Sequence, residues 1–379
     1  MSLFQHRPHL RTCGPMLAMV LAVGCGADYD PPSLVNKLRI IGARAEPPFI
    51  SMSQSAAMEL KVIGHDPGEA LCHAWAACLV AVPKEGNYRC FDPRLQVPLG
   101  TAPTAKVSSG NLMTMVKKLP EVAADNDLDL GSFGGRSDQP DACPTEAPNL
   151  PVTRITILFK VAEAGVFGGS CPTDAAEMLD SVCADRTRCL AGYKSLQVAI
   201  GFEIKDCQPA LVSAPDKEHK NPVLTGLQMA GVDWPQAVTP VIRPFVKSES
   251  VVDLDNAALD FNEGDFEQEL KPMWTPESIE FKHKSPDPTK GDVNETLLFS
   301  WFTDAGEFKK QRSWDAIPEN LYRAEPPDKA DGQTVRIWLV VRDGRGGTDW
   351  LERKLVVKSG AQIAVNPICE QDGQAEGCP

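Results

Sequence analysis

The apolar stretch TVRIWLVVRDGRGGTDWLERKLVV, at residues 334–357, is the sequence feature that most constrains the fold. Its first half alternates branched apolar residues with other side chains, which is the period of a strand that turns one face to a core. These apolar residues are Val335, Ile337, Leu339 and Val341. The glycine-rich segment DGRGG then predicts a tight turn, and WLERKLVV predicts the returning strand. We therefore predict a β-hairpin with Trp338 on its outer face.

Short apolar or alternating runs bounded by Pro, Gly and Asp recur along most of the chain. They lie at residues 38–45, 57–64, 73–82, 152–161, 194–204, 223–231 and 295–306. The chain has 379 residues, of which 42% are hydrophobic, enough for two domains of ordinary size with packed cores. Many short strands, with Trp75 and Trp301 in mid-domain strands, predict a mainly β protein with two Ig-like β-sandwich domains in tandem.

The N-terminus has the order of an export signal. Arg7 and Arg11 precede an apolar run at residues 16–23, and Gly24 and Cys25 follow it. The run is far shorter than the roughly 20 residues that a membrane-spanning helix needs. A basic start, a short apolar run and a small residue before a cleavage point predict a signal peptide at residues 1–24.

The segment LAVGC, which ends at Cys25, resembles the lipobox of bacterial lipoproteins. The resemblance implies cleavage before Cys25 and acylation of its sulfur, as by palmitate, so that a lipid holds the protein on a membrane. Gly26, in place of the Asp that retains lipoproteins in the inner membrane, favours the outer membrane. The body then faces the periplasm or the cell surface, on a short polar tether at residues 25–35.

Ten of the twelve cysteines remain after the signal peptide and Cys25 are set aside. An even set in an exported chain predicts disulfides. The candidates are Cys72, Cys78, Cys90, Cys143, Cys171, Cys183, Cys189, Cys207, Cys369 and Cys378. We expect Cys369 to pair with Cys378 and Cys78 with Cys90, whereas Cys171, Cys183, Cys189 and Cys207 pair among themselves. No Cys-x-x-Cys motif occurs, so we predict no zinc site and no cofactor.

Two segments of the first half depart from the strand pattern. Residues 104–150, rich in Pro, Gly, Asp and Ser, predict an irregular insertion with a short helix near residues 111–119. Residues 171–192 predict a helical insertion, capped by Asp174 with Glu177 three residues on, whose apolar spacing continues to Cys183.

A polar, proline-containing segment at residues 212–222 predicts the linker between the domains. The first sandwich then occupies residues 36–211 and the second residues 223–358. Residues 359–379 form a C-terminal tail with a small cysteine loop.

Several motifs occur together in this chain. They are LRIIGARAEPP at 38–48, WAACLV at 75–80, NPVLTGL at 221–227, SWFTDAG at 300–306 and VVRDGRGGTDW at 340–350. Together they resemble envelope lipoproteins of myxobacteria-like bacteria with Ig-like or PKD-like domains, a family to which no activity is assigned. The resemblance implies an Ig-like or PKD-like second domain and implies no chemistry.

Two acidic segments are weak candidates for Ca²⁺ binding, because hard cations take carboxylate oxygens. The candidate ligands are Asp125, Asp127 and Asp129 in the first segment, and Asp253 and Asp255 in the second. The first segment lacks the Gly and Glu of an EF-hand loop, and both are equally typical of solvated acidic loops.

Trp338 and Trp350 are candidates for partner binding, because aromatics on an outer sheet face stack on glycans or anchor proteins. They could equally pack beneath a loop. We find no nucleophile elbow, zinc-protease motif or phosphate-binding loop, and predict no catalytic residue. The net charge of −13 excludes nucleic acid as a partner.

The predicted function is a membrane-anchored, non-catalytic binding or scaffold module that contacts an envelope protein or a glycan. Alternatives are a Ca²⁺-dependent glycan binder or a hydrolase that uses residues 104–150, and a spacer with no specific ligand.

Overall fold

A computed structural model describes most of the chain. The described residues are 33–51, 54–84, 87–126, 150–205, 208–213, 219–245, 267–279, 282–284, 292–359, 367–371 and 378. Every feature described below lies in one compact unit, Pro32–Pro379.

The first half of this unit is built mainly of strands, with two α-helices between them. In chain order these are β1 (Arg39–Glu46), β2 (Phe49–Ser51), β3 (Ser55–Ile63), β4 (Leu71–Cys78), β5 (Ala81–Lys84), β6 (Asn87–Cys90), β7 (Gln96–Gly100), β8 (Thr104–Ser108), α1 (Ser109–Asp125), β9 (Leu150–Glu163), α2 (Ala175–Asp180), β10 (Cys189–Lys205) and β11 (Gln208–Ser213).

The second half is also mainly strands and ends in a short helix. In chain order these are β12 (Leu224–Met229), β13 (Val232–Asp233), β14 (Val241–Ile242), β15 (Gln268–Trp274), β16 (Lys282–Lys284), β17 (Asp292–Asn294), β18 (Leu298–Thr303), β19 (Glu307–Phe308), β20 (Arg312–Trp314), β21 (Asn320–Arg323), β22 (Gln333–Arg342), β23 (Thr348–Val357) and α3 (Pro367–Gln371). Short 3-10 turns lie at Pro93–Leu95, Ala164–Phe167 and Pro276–Ser278.

The first sandwich packs the sheet β1-β3-β8 against the sheet β11-β10-β9-β4-β7, whose strand β10 also pairs with β2. Its core takes Trp75 from β4 and Met58 from β3, and α1 adds Leu112 and Met115. The other face of β4 is buried as well, because α2 and the β5–β6 hairpin cover it. Alternate residues of this strand therefore enter two different apolar clusters.

The second sandwich packs the sheet β13-β12-β15-β21-β19 against the sheet β14-β23-β22-β18-β20. The predicted hairpin forms: β22 pairs antiparallel with β23, from Gln333 opposite Val357 to Arg342 opposite Thr348. The four alternating apolar residues of β22 are at most 1% exposed and lie in the core around Trp301. The predicted fold class, mainly β with two sandwiches in tandem, is confirmed.

The prediction of an irregular insertion at residues 104–150 is wrong for the first part of that segment. Thr104–Ser108 is strand β8, with Ala105 and Val107 buried in the first core. Helix α1 follows at once and runs to Asp125, well beyond the short helix expected near 111–119. The turn-forming composition hid the apolar residues that anchor this strand and helix. Residues 127–149 lie outside the described part.

The helix predicted within residues 171–192 forms, and Asp174 caps it by accepting a hydrogen bond from the Ala176 N–H at 2.8 Å. It is shorter than expected, because α2 ends at Asp180 and Val182 is 71% exposed. Lys160 of β9, fully buried, donates to the carbonyls of Met178 and Leu179 at this end of the helix.

Four disulfides join described cysteines. The expected pairs Cys78–Cys90 and Cys369–Cys378 form, and Cys183 pairs with Cys189. The expectation for Cys171 is wrong, because it bonds to Cys72, 99 residues away. Cys143 and Cys207 lie outside the described residues. Disulfides are typical of proteins that fold outside the reducing cytoplasm.

Candidate functional site

The hairpin β22–β23 lies where the two sandwiches meet, and its outer face is not open. Trp338 is 2% exposed and clusters with Ile41 of β1 and Ile63 of β3. Its indole Nε1 donates to Glu352 Oε2 at 2.9 Å. Trp338 is therefore not an exposed partner-binding residue, and of the two alternatives it packs, here against the first sandwich. Alternation identifies the two faces of a strand, but it does not tell what covers the second one.

Trp350 of β23 is half-buried in the same contact. A Cβ atom on Gly42 of β1 would lie 2.9 Å from its ring atom Cε3, so this close approach depends on glycine. The Arg44 guanidinium lies 4.6 Å from the centre of the ring, in cation–π geometry. Trp350, like Trp338, therefore packs against the chain's own first sandwich.

Polar contacts surround this apolar cluster. Arg44 joins Asp349 of β23, with 2.9 Å between Nη1 and Oδ1, and Lys61 Nζ lies 3.4 Å from Glu352 Oε2. The other oxygen of Asp349 accepts the Leu224 N–H at the start of the second sandwich. One carboxylate thus ties together β1, β12 and β23. We call this whole contact, apolar and polar, the junction.

The turn between β22 and β23 reaches further into the first sandwich. Asp343 Oδ1 accepts three backbone N–H groups of the turn, those of Arg345, Gly346 and Gly347, at 2.8, 3.0 and 2.9 Å. From β10, Lys194 donates to the Gly346 carbonyl and Gln197 donates to the Arg345 carbonyl at 2.8 Å. The conformation of the turn and its attachment to β10 are therefore both fixed by hydrogen bonds.

The segment before β12 belongs to the junction too. The Asn221 Nδ2 donates to the Ala45 carbonyl at 2.7 Å, and its Oδ1 accepts the Thr348 N–H at 2.9 Å. A single side chain of the predicted linker therefore bridges the end of β1 and the start of β23.

Beneath the turn lies a buried group of three ligand-type side chains. His219 is 2% exposed, and Glu295 and Asp343 are 3% exposed each. One nitrogen or oxygen atom from each lies within 4.8 Å of the others, and His219 Nε2 is 3.0 Å from Asp343 Oδ2. Among the described residues this is the one group of three or more His, Cys, Asp or Glu side chains with such geometry. We call it the His–Glu–Asp cluster.

Two pKa values near the cluster depart from their ordinary range. Burial alone would raise the pKa of Asp343, but the hydrogen bond and charge of His219, with the turn N–H groups, outweigh it and lower the pKa. Burial lowers the pKa of Lys194 to about 8, against the opposing pull of Asp343. Ionisable groups are thus held inside the protein at this end of the junction.

Sequence reasoning missed the His–Glu–Asp cluster. Its members are separated by 76 and 48 positions, a spacing that matches no ligand motif. His219 lies in the polar segment predicted as the linker, and Asp343 in the glycine-rich segment predicted as a turn. Only the packing of the linker, the segment before β18 and the hairpin turn brings them together.

The Ca²⁺ candidate Asp125 has another role. It is the last residue of α1, and its Oδ2 lies 2.6 Å from Arg94 Nη1. The expectation that Asp125 belongs to an acidic loop is wrong, because the helix extends through it. The remaining candidates lie outside the described residues; they are Asp127, Asp129, Asp253 and Asp255, together with the predicted lipidation site Cys25.

Large apolar side chains are exposed at several other positions among the described residues, including Trp314, Ile317 and Tyr193. Trp314 of β20 and Ile317, 51% and 61% exposed, face each other across an isolated β-bridge. In the first sandwich, Tyr88, Phe159 and Tyr193 line a depression of about 390 Å³. Tyr88 and Tyr193 meet edge to face at 4.6 Å between ring centres.

No family model matches the chain, and no curated protein matches it. Among solved structures, it is similar to the D0–D1 domain of intimin at 8% identity and a TM-score of 0.18, over 83% of this chain and 98% of that one. It is also similar to three N-terminal domains of the bacteriophage RB49 outer capsid protein Hoc, at 8% identity and a TM-score of 0.16, over 84% of this chain and 59% of that one.

A third likeness is to the cadherin-like domains 1 to 4 of zebrafish RET, at 12% identity and a TM-score of 0.15, over 54% of this chain and 33% of that one. At these scores nothing about function passes from the three structures to this chain. No helix in the described part of the chain is long and apolar enough to cross a membrane.

Proposed function

We propose that this chain is a membrane-anchored lipoprotein of the bacterial envelope that acts as a non-catalytic scaffold and holds another envelope protein at a fixed distance from the membrane. The observation that carries the proposal is the junction. It is apolar at its centre around Trp338 and is closed by ion pairs and hydrogen bonds around that centre.

Such a junction suits a scaffold that holds its partner at a fixed position. Domains in one chain move relative to each other unless their interface is large and apolar. Here Trp338 and Val340 are buried against β1 and β3, and the hairpin turn is bonded to β10. In the proposal the two sandwiches move as one body, and a partner bound to the second is held at a defined place relative to the first.

The contact surface for the partner is the exposed pair Trp314 and Ile317. Tryptophan in a protein interface supplies large apolar area and a hydrogen-bond donor, and is enriched among residues that dominate binding. An adjacent branched aliphatic side chain favours a protein over a glycan, since sugars stack on aromatic faces. Within the described residues, β20 pairs with β18 alone in its sheet, so this strand lies at the sheet edge.

The anchor is tested by Cys25→Ala in the full chain. Loss of the acylated sulfur should move the protein from the membrane fraction to the soluble periplasmic or secreted fraction, because lipid chains supply the membrane affinity. A matched control is Cys13→Ala, which removes a cysteine inside the signal peptide and should leave the membrane fraction unchanged. A Cys25→Ala protein that still needs detergent for extraction would rule the anchor out.

The contact surface is tested by a photo-crosslinking amino acid placed at Ile317 in cells. We expect one stoichiometric crosslinked envelope protein, lost when Trp314→Ala is added. The control position is Val182, which is 71% exposed and lies in the first sandwich. Crosslinks of equal yield at Val182 and Ile317, or none at Ile317, would contradict a partner at this surface.

A glycan is a second candidate ligand, because of the depression beside Tyr88 and Tyr193. Aromatic rings lining a concave surface suit the apolar face of a sugar ring. Titration with peptidoglycan fragments should shift the NMR or fluorescence signals of the native chain, and Tyr193→Ala should abolish the shift. No response to fragments at millimolar concentration would remove this candidate.

A further inference from the structure

We infer that the His–Glu–Asp cluster is a binding site for a divalent first-row transition cation such as Zn²⁺ or Mn²⁺. It is built of one imidazole and two carboxylates, each at least 97% buried, with a ligand atom of each within 4.8 Å of the others. The inference goes beyond the scaffold proposal and does not depend on membrane anchoring or on a partner.

The type and burial of the donors support a cation. An imidazole and two carboxylates supply one nitrogen and two oxygen ligands, which is the kind of set that divalent transition metals take in proteins. Burying carboxylates costs free energy unless positive charge compensates them. A cation placed among the three side chains supplies that charge at the shortest distance.

Protein cations also approach the cluster. Arg345 Nε lies 3.7 Å from Glu295 Oε1, longer than a charge-assisted hydrogen bond of about 2.7–2.9 Å. The Arg345 side chain is also 29% exposed, so part of its charge is hydrated. A network of protonated His219 with Asp343 and Arg345 with Glu295 is the competing arrangement, and the experiment below distinguishes the two.

The ligand set also selects the class of cation. Ca²⁺ takes about six to eight oxygen ligands and Mg²⁺ keeps several waters, so neither suits a buried site with a nitrogen donor. Zn²⁺ accepts one nitrogen and two oxygens with a water or carbonyl as a fourth ligand. Mn²⁺ and other divalent first-row ions accept the same donors, and their affinities for a given site generally rise from Mn²⁺ to Cu²⁺.

The location assigns the cation a structural role. His219 precedes β12, Glu295 precedes β18, and Asp343 begins the turn whose backbone is bonded to Lys194 and Gln197 of β10. A cation held by all three would tie the linker and the turn together just where the second sandwich contacts the first. Metal binding would therefore stabilise the junction.

The test starts from the full chain, without a histidine tag, purified in detergent and refolded from denaturant with EDTA or with Zn²⁺ alone. We expect one equivalent of zinc per chain by elemental mass spectrometry after desalting, and a higher thermal midpoint for the zinc-refolded protein. Substitution by Co²⁺ should give the visible absorption of a protein-bound ion. Mn²⁺ and Ca²⁺ are compared at the same concentration.

Matched variants identify the ligands. Glu295→Gln keeps the shape of the side chain and removes its charge, and His219→Gln removes the imidazole; both should bind no zinc at the concentration that saturates the native chain. His65→Gln, a change to a partly exposed histidine of the first sandwich, should keep full stoichiometry. Circular dichroism in EDTA checks that each variant folds, and Asp343→Asn offers a third ligand change.

The possible outcomes distinguish a metal site from a network of ion pairs. A native chain that folds in EDTA with an unchanged midpoint, and binds no zinc, manganese or cobalt, overturns the proposal and leaves the ion-pair network. Zinc that persists in both Glu295→Gln and His219→Gln overturns it as well, because the ion then lies elsewhere. Neither result bears on the Cys25→Ala fractionation, so the scaffold proposal stands or fails separately.

Discussion

Replacing Trp338 by alanine tests whether the two sandwiches are held together as described. The side chain is 2% exposed and is buried partly by Ile41 and Ile63 of the other sandwich. A buried tryptophan removes roughly 200 Å² from water, which at about 25 cal/mol per Å² is worth about 5 kcal/mol. Large-to-small core substitutions of this kind cost about 3–5 kcal/mol. We expect a loss of that size in Trp338→Ala.

Urea unfolding followed by far-UV circular dichroism measures the loss, with Trp314→Ala as the matched control. Trp314 is 51% exposed, so its truncation should change the free energy of unfolding by no more than about 0.5 kcal/mol. The double variant Ile41→Ala with Trp338→Ala should lose less than the sum of the single losses, because the two side chains share one contact. Additive losses, or equal effects of Trp338→Ala and Trp314→Ala, would refute the contact between sandwiches.

Three further predictions concern single side chains. The pKa of Lys194 is about 8 in the folded chain, against an ordinary 10.5. Between pH 8 and pH 10.5 the unfolded chain therefore binds a proton that the folded chain has lost. The free energy of unfolding should rise with pH across this window, by up to about 3 kcal/mol. Lys194→Met should abolish that rise in urea midpoints taken below pH 8 and near pH 10.5, and an unchanged slope would contradict it. Lys160→Met leaves the α2 carbonyls without their buried donor and should cost about 1–3 kcal/mol in urea unfolding, whereas Lys118→Met, at a 54% exposed side chain, should cost almost nothing. Asp174→Ala removes the cap of α2 and should cost about 0.5–2 kcal/mol by the same assay, and a native-like midpoint would show that the cap is dispensable.

Much of the local structure could be predicted because its signals are local. The alternation in β22 and the glycine-rich turn after it indicated the hairpin, and Asp174 marked the start of α2. The helix α1 was underestimated, because a turn-forming composition surrounds the apolar residues Leu112 and Met115 that pack it onto the first core.

The candidate sites were harder to predict than the strands. Trp338 was assigned to the outer face of the hairpin correctly, yet that face is covered by β1 and β3. The His–Glu–Asp cluster carries no spacing signal at all. In each case the deciding contact joins residues that are far apart in sequence, where periodicity and motif spacing carry no information.

The sequence by itself determined the strand pattern, the turn chemistry and the close cysteine pairs. A strand period or a bond such as Cys369–Cys378, 9 residues apart, depends only on neighbours along the chain. Tertiary structure alone decided the Cys72–Cys171 bond, the burial of Trp338 and the meeting of His219 with Asp343. Each depends on which distant segments the fold brings together: the segment before α2 lies on β4, the first sandwich covers the outer face of β22, and the linker meets the hairpin turn. Neighbours along the chain carry no signal of such contacts.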